Sequence, residues 1–233
     1  MEQQEKVSLS FFFPAYNEEK TIEPLVRAAQ EVLEEICDDY EIIIVDDGST
    51  DRTGEIADRL ASGSERIRVI HHPRNRGYGV ALRSGFRSAT KDLVFYTDGD
   101  FQFDVRELKK LLPLIKNADI VSGYKIKRAD KAYRDTFSWV FNMLCRTLFH
   151  LEVKDVNCAF KLYRRRIFDS MELKSVRGLI DAEVLIKAQR AGYRIVQTGV
   201  SHFPRKEGRS KKRLQEIIST IVQMVQLRRE LRS

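Results

Sequence analysis

In this 233-residue chain an apolar run, residues 93–96, opens into Thr97, Asp98, Gly99, Asp100, Phe101 and Gln102. Two carboxylates separated by a glycine can turn tightly and share one hard divalent cation with a diphosphate. A solvated turn is the plain alternative, and the preceding strand argues against it, because open α/β sheets bind ligands beyond the carboxyl ends of their strands.

Two earlier runs end in the same manner. After residues 41–45 come Asp46, Asp47, Gly48, Ser49, Thr50 and Asp51. Asp47 can accept from a ribose hydroxyl or a base edge while Ser49 or Asp51 caps the next helix. A turn alone does not need two repelling acids side by side. After residues 7–13 come Pro14, Ala15, Tyr16, Asn17, Glu18 and Glu19, where Tyr16 can stack on a base and Asn17 or Glu18 can hold its polar edge. The same residues also read as an ordinary helix start.

Two further segments bear on phosphate chemistry. Asn75, Arg76, Gly77, Tyr78 and Gly79 suggest a dinucleotide fingerprint, but Leu82 stands where a small residue is required and the segment follows the third strand. Gly77 and Gly79 are instead expected to let a loop pass close to a bound nucleotide or to the sheet. Arg205, Lys206, Arg209, Lys211, Lys212 and Arg213, with Gly208 and Ser210 among them, form a cationic loop of the kind a departing diphosphate needs.

These loops need a scaffold. Strands are predicted at 7–13, 41–45, 67–71, 93–96 and 120–122, with helices near 20–36, 52–61, 79–89 and 105–115. The alternation implies an α/β fold with a parallel central sheet and helices on both faces. Beyond residue 133 the rhythm changes to an apolar helix at 137–151, strands at 157–163 and 194–200, a helix at 182–191 between them, and a last amphipathic helix with bases at both ends. One domain spanning 1–233 is expected: a ligand-binding half 1–125, a second half 126–211, and a C-terminal helix 212–233.

A formal charge of +7 points to partners that carry phosphate. Three scattered cysteines fit a reducing compartment. The run 7–13 stops at Pro14, too short for a signal peptide core. No uncharged stretch exceeds eleven residues, against about 20 for a spanning helix. The basic loop lacks interleaved aromatics apart from Phe203, so nucleic acid is not an expected partner.

In order, Pro-Ala-Tyr-Asn-Glu, Val-Asp-Asp-Gly-Ser-Thr-Asp, Asn-Arg-Gly-Tyr-Gly and Asp-Gly-Asp-Phe-Gln resemble the motifs of the family 2 glycosyltransferases, over residues 13 to about 211. Within that family they resemble the polyprenyl phosphate sugar transferases of the dolichol-phosphate mannose synthase kind. The resemblance implies a GT-A fold, Rossmann-like with a mostly parallel sheet, and an Mg²⁺ or Mn²⁺ ion on Asp98, Asp100 and Gln102. It implies a nucleotide-diphosphate sugar, UDP- or GDP-linked, held by Pro14, Ala15, Tyr16, Asn17, Glu18, Asp46, Asp47, Gly77, Gly79, Asp98 and Arg205. On the acceptor and phosphate side it implies Lys125, Arg134, Asp155, Asn157, Lys161, Ser210 and Lys211. Lys125 stands, after Tyr124, where those synthases carry an arginine.

The reaction expected is an inverting displacement onto a polyprenyl phosphate, at the cytoplasmic membrane face, with the apolar and C-terminal helices in the interface and room for a membrane-spanning partner subunit. A phosphate acceptor is ionised at neutral pH and needs no strong base. A hydroxyl acceptor needs one, and Asp181 or Glu183 is the candidate, with helix capping the plainer role for Asp181. A sugar-phosphate nucleotidyltransferase shares the nucleotide, metal and sheet, but its Gly-rich signature is missing from residues 13–20.

Overall fold

Strands buried on both faces must be apolar throughout, and that is what β1 provides: Leu9, Phe11, Phe12 and Phe13 are all removed from water. The computed structural model describes residues 7–126, 132–204 and 214–231. In chain order the elements are β1 (Ser8–Ala15), α1 (Ile22–Ile36), β2 (Asp39–Asp46), α2 (Thr53–Ser62), β3 (Ile67–His71), α3 (Tyr78–Ser88), β4 (Leu93–Thr97), α4 (Leu108–Ile115), β5 (Ile120–Lys125), α5 (Ala132–Phe149), β6 (Phe160–Arg164), α6 (Ile180–Arg190), β7 (Ile195–Val200) and α7 (Leu214–Glu230).

The strands form one sheet in the order β3-β2-β1-β4-β6-β5-β7. Every pairing is parallel except those of β6, which runs antiparallel to both β4 and β5. The sheet is therefore mostly parallel, as expected, with one reversed strand that hydrophobic periodicity does not reveal. Its direction follows from the connection: the chain leaves β5 at the edge where β4 also ends, forms α5, and re-enters at that same edge. Phe160 then pairs with Thr97, and Lys161 with Tyr96.

Because side chains alternate across a strand, the two sheet faces carry separate aromatic layers. Phe12, Tyr96 and Tyr163 lie on one face against Phe86 of α3 and Phe168. Phe11, Phe13, Phe95 and Phe160 lie on the other, joined by Phe103. Each fully buried ring adds about 1.5–3 kcal/mol of transfer free energy, so these layers hold the strand ends in register.

Helix α5 turns Phe141 and Cys145 into the core and leaves Trp139, 63% exposed, and Met143 outside. Helix α7 buries Met224 and Leu227 and exposes Val222 and Val225. Among the described residues no helix is long and apolar enough to cross a membrane.

Candidate active site

Strand β4 is buried throughout and delivers Asp98 to the sheet's carboxyl edge, beside the ends of β1 and β2. The turn that follows lies directly on β1. A Cβ at Gly99 would stand 2.6 Å from the Pro14 carbonyl oxygen, so no larger residue fits. The Thr21 hydroxyl donates to the Gly99 carbonyl at 2.8 Å. Phe101 takes φ 56°, a left-handed conformation that costs a non-glycine residue energy and here turns the chain out of the acidic pair.

The electrostatics of the pair suit a cation. Asp98 is pushed up to about 7 by the protein packed around it and by the charges of Asp100 and Asp181, against the Tyr78 hydroxyl and the Lys125 charge, which favour its ionised form. Tyr78 donates to Asp98 Oδ1 at 3.0 Å. Hard carboxylate oxygens that repel one another fit Mg²⁺ or Mn²⁺, whose remaining positions go to phosphate and water. No group of three His, Cys, Asp or Glu suited to a metal occurs among the described residues.

Gln102 is committed elsewhere as well. Its Nε2 donates to the Phe203 carbonyl at 2.8 Å, its own carbonyl accepts from Phe203 N, and Phe103 bridges His202. Only its side-chain oxygen remains to offer a cation. These bonds fasten the acidic turn to the segment that leads into the basic loop. Arg205, Ser210 and Lys211 lie outside the described residues, as do the other bases of that loop and the side chain of Arg134.

The nucleotide-side residues split into two groups. Tyr16 is 44% exposed. Pro14 and Ala15 form the floor, Ala15 accepting Asp47 N at 2.9 Å. Asn17, at φ 56°, spends its side chain lacing two loops: Oδ1 accepts Thr50 N at 2.8 Å. Glu18 N donates to Thr53 and its carboxylate accepts the Thr21 hydroxyl. Asp51, not Ser49, holds the start of α2, accepting Thr53 N at 2.9 Å.

Asp46 and Asp47 are both buried and engaged. Asp46 accepts Ser49 N and pairs with His71; burial alone would raise its pKa, but these bonds hold it below the usual carboxylate range. Asp47 accepts Arg76 N, Gly77 N and, at 2.6 Å, His72 Nδ1. A carboxylate has about four acceptor positions, so Asp47 has one left for a ribose or base. Gly77 (φ 95°) and Gly79 approach neither the sheet nor open space: a Cβ at Gly79 would meet the Val176 carbonyl carbon at 2.6 Å, in the segment leading to α6.

The acceptor-side expectations change most. Lys161 is fully buried, its ammonium bonded to Asp181 Oδ1 at 2.7 Å, the Cys158 carbonyl at 2.6 Å and the Tyr96 hydroxyl at 3.1 Å. It faces the protein rather than a phosphate, because pairing with Tyr96 across β4 and β6 turns it into the aromatic layer. Asp181 also accepts the Tyr96 hydroxyl. It makes no helix cap: Leu179 occupies that position. Glu183 accepts Lys174 N, Ser175 N and Lys187; burial opposes ionisation, yet these donors hold its pKa low. Asp155 is buried and Asn157 half-buried, before β6. Lys125 reaches the acidic turn, acting on Asp98 and lying 6.0 Å from the Phe103 ring.

Sequence reasoning missed Tyr78, Tyr96 and His72 as members of the site. Tyr78 sits within the Gly-Tyr-Gly segment and Tyr96 two residues before Asp98, spacings that could have flagged both. An apolar-run reading counts Tyr96 as core.

Comparison with known proteins follows the same lines. The model of Glycosyl transferase family 2 matches residues 10–171, more than half of the chain. The chain is 35% identical over 209 residues to Glycosyltransferase AglD of Haloferax volcanii, covering 85% of this chain and 34% of that protein. It is 29% identical over 220 residues to an undecaprenyl-phosphate 4-deoxy-4-formamido-L-arabinose transferase of Aeromonas hydrophila, covering 93% and 66%. The chain thus spans about a third of the first relative and about two thirds of the second. Glucosyl-3-phosphoglycerate synthase from Mycobacterium tuberculosis, solved with Mn²⁺ and UDP-glucose, shares the fold at TM-score 0.69 and 21% identity over 94% of this chain and 79% of that one.

Proposed function

The chain belongs to glycosyl transferase family 2, and from that premise we propose that it moves a sugar from a nucleotide-diphosphate donor to a polyprenyl phosphate, with inversion at the anomeric carbon. The names of its relatives, an undecaprenyl-phosphate sugar transferase among them, support the acceptor class. A solved neighbour that binds Mn²⁺ and UDP-glucose supports the donor and metal classes.

The observation that carries the phosphate acceptor is the state of the two candidate bases. Asp181 is buried against the Lys161 ammonium and the Tyr96 hydroxyl, and Glu183 is spent on two backbone amides and Lys187. Neither stands free to take a proton from a hydroxyl. A phosphate monoester, with its second pKa near 6, brings its own anionic oxygen.

In this reading Tyr16 stacks on the base, and the remaining acceptor position of Asp47 takes a ribose or base donor. Asp98 and Asp100 hold the divalent ion, Mg²⁺ or Mn²⁺, which supplies Lewis-acid charge to the diphosphate. An acceptor phosphate oxygen forms the new bond to the anomeric carbon as the bond to the donor's diphosphate breaks. The electron pair leaves with the diphosphate, and no proton need move. Lys125, beside the acidic turn, favours both anions. Arg205, Ser210 and Lys211 are assigned to the phosphates on sequence grounds alone.

A polyprenyl chain requires contact with the bilayer, on the cytoplasmic face in this reading. The exposed Trp139 and Met143, with the exposed Arg146 one turn on, give α5 an outer face suited to an anionic interface. Retention on anionic liposomes at low salt tests this, and indifference to lipid removes it. The decisive assay offers radiolabelled UDP- and GDP-sugars with polyprenyl phosphate or the corresponding polyprenol. Transfer to the phosphate alone supports the proposal. Transfer to the polyprenol, abolished in Asp181→Asn with nucleotide affinity intact, replaces it with a hydroxyl acceptor.

A further inference from the structure

Arg83 and Arg87 stand four residues apart on α3, so both guanidinium groups reach the same flank of the helix and repel one another. Burial first, and then the Arg87 charge, work against the charge of Arg83 and hold its pKa below the usual arginine value. Glu183 acts the other way, but it is spent on Lys187 and two backbone amides. Arg83 Nη1 donates to the Leu173 carbonyl at 3.1 Å, while its Nε lies out of water with no hydrogen-bond partner among the described residues. Arg165, from the turn after β6, lines the same cavity of about 190 Å³, with Phe86, Phe168 and Met171 in its apolar wall. Asp169 is the acid that lines it, and its carboxylate is taken by Arg165 at 2.7 Å. Three guanidinium groups against one carboxylate leave an excess of two positive charges.

This cavity is remote from the acidic turn. Arg165 N donates to the Asp92 carbonyl at 2.8 Å, at the amino end of β4, whereas Asp98 follows the carboxyl end of that strand. The length of β4 puts about 16 Å between them. We propose that the cavity under Arg83, Arg87 and Arg165 is an anion site separate from the acidic turn, and that it takes a phosphate monoester with a short organic stem. Guanidinium forks match the oxygens of a phosphate, and several forks around one group are what a dianion requires. A monoester carries about −1.5 to −2 charges at pH 7, which balances the excess on the walls, whereas a diester carries a single charge. The volume falls below the roughly 300–1,000 Å³ of sites for drug-sized ligands, so a phosphate head and a few carbons fit where a nucleotide does not. The same chemistry is offered by a free phosphate ester and by a lipid whose headgroup is a phosphate monoester.

Phosphorus NMR titrations in chelator, which leaves the acidic turn without a cation, read this binding apart from turnover. Methyl phosphate should bind the wild type more tightly than dimethyl phosphate does. Arg87 is exposed, so Arg87→Gln leaves the core untouched, and it should weaken methyl phosphate about tenfold. Arg83→Lys, which keeps the charge and loses the fork, should also weaken it. Asp98→Asn should bind as wild type does, and so should Arg106→Gln, which removes an exposed arginine elsewhere. Vesicles containing phosphatidic acid, set against phosphatidylglycerol vesicles of matched charge, separate the two sources. An Arg87-dependent preference for phosphatidic acid makes the ester a lipid headgroup, and methyl phosphate binding without that preference makes it a free one. Wild type that binds neither methyl phosphate nor phosphatidic acid, equal affinity for dimethyl phosphate, unchanged affinity in Arg87→Gln, or binding lost in Asp98→Asn would each overturn the proposal.

Discussion

Lys161 and Asp181 meet at 2.7 Å, the lysine side chain wholly and the aspartate almost wholly out of water. Removing one partner strands a charge in the interior, which costs about 3–5 kcal/mol. Lys161→Met should lower the unfolding free energy by that amount, and Lys161→Met with Asp181→Asn should recover most of it. Denaturant melts of both proteins check this, and equal losses would contradict it.

Gly99 lies under the Pro14 carbonyl, where a methyl group would intrude to 2.6 Å. The β1 backbone and the Phe13 ring beside it leave little room to yield, so Gly99→Ala is expected to cost about 1–3 kcal/mol and to displace the acidic turn. Its signature is loss of Mn²⁺-dependent nucleotide binding beyond what reduced stability explains, seen by calorimetry at a temperature where the variant is folded.

The Asp98 carboxyl is pushed up to about 7, from a value near 4 in an unfolded chain. The folded state therefore binds this proton more tightly, and the cost of ionising the group accumulates from about pH 4 to about pH 7 and is full above that. In chelator at pH 8, Asp98→Asn should melt above wild type. The difference should shrink as the pH is lowered toward 4, and a pH-independent difference would argue against it.

His71 bridges Asp46 and Asp58 at 2.9 and 3.0 Å, and these bonds, Asp58 first, raise its pKa above 6.5. Its contribution is full below about pH 6.5 and lost as pH rises through the raised value. The pair with Asp58 is largely exposed, so the effect is below about 1 kcal/mol. His71→Gln should flatten the stability profile over that interval, as a pH series of melts would record.

The sequence made the strand ends legible because chemistry and periodicity coincide there. A buried run ends and acids begin, at Asp46 and again at Asp98, and both acids stand on the sheet edge where they were expected. Lys161 is not legible in the sequence as a buried residue, for a physical reason. Its burial depends on β6 running antiparallel beside β4, and no local pattern encodes a strand's direction. The loop contacts of Asp47 and Asn17 are hidden from the sequence as well. Their acceptor groups serve loops about 30 residues away in sequence, and only tertiary contact shows it.

The account stands on Asp98 and Asp100 holding a divalent ion against a nucleotide diphosphate. A thermal-shift panel of UDP- and GDP-sugars, with and without Mn²⁺, measures this most directly when run on wild type and Asp98→Asn together. One nucleotide class should raise the wild-type Tm only when Mn²⁺ is present, and neither should move Asp98→Asn. Equal stabilisation without the metal, or a Mn²⁺-dependent shift that survives Asp98→Asn, would contradict it.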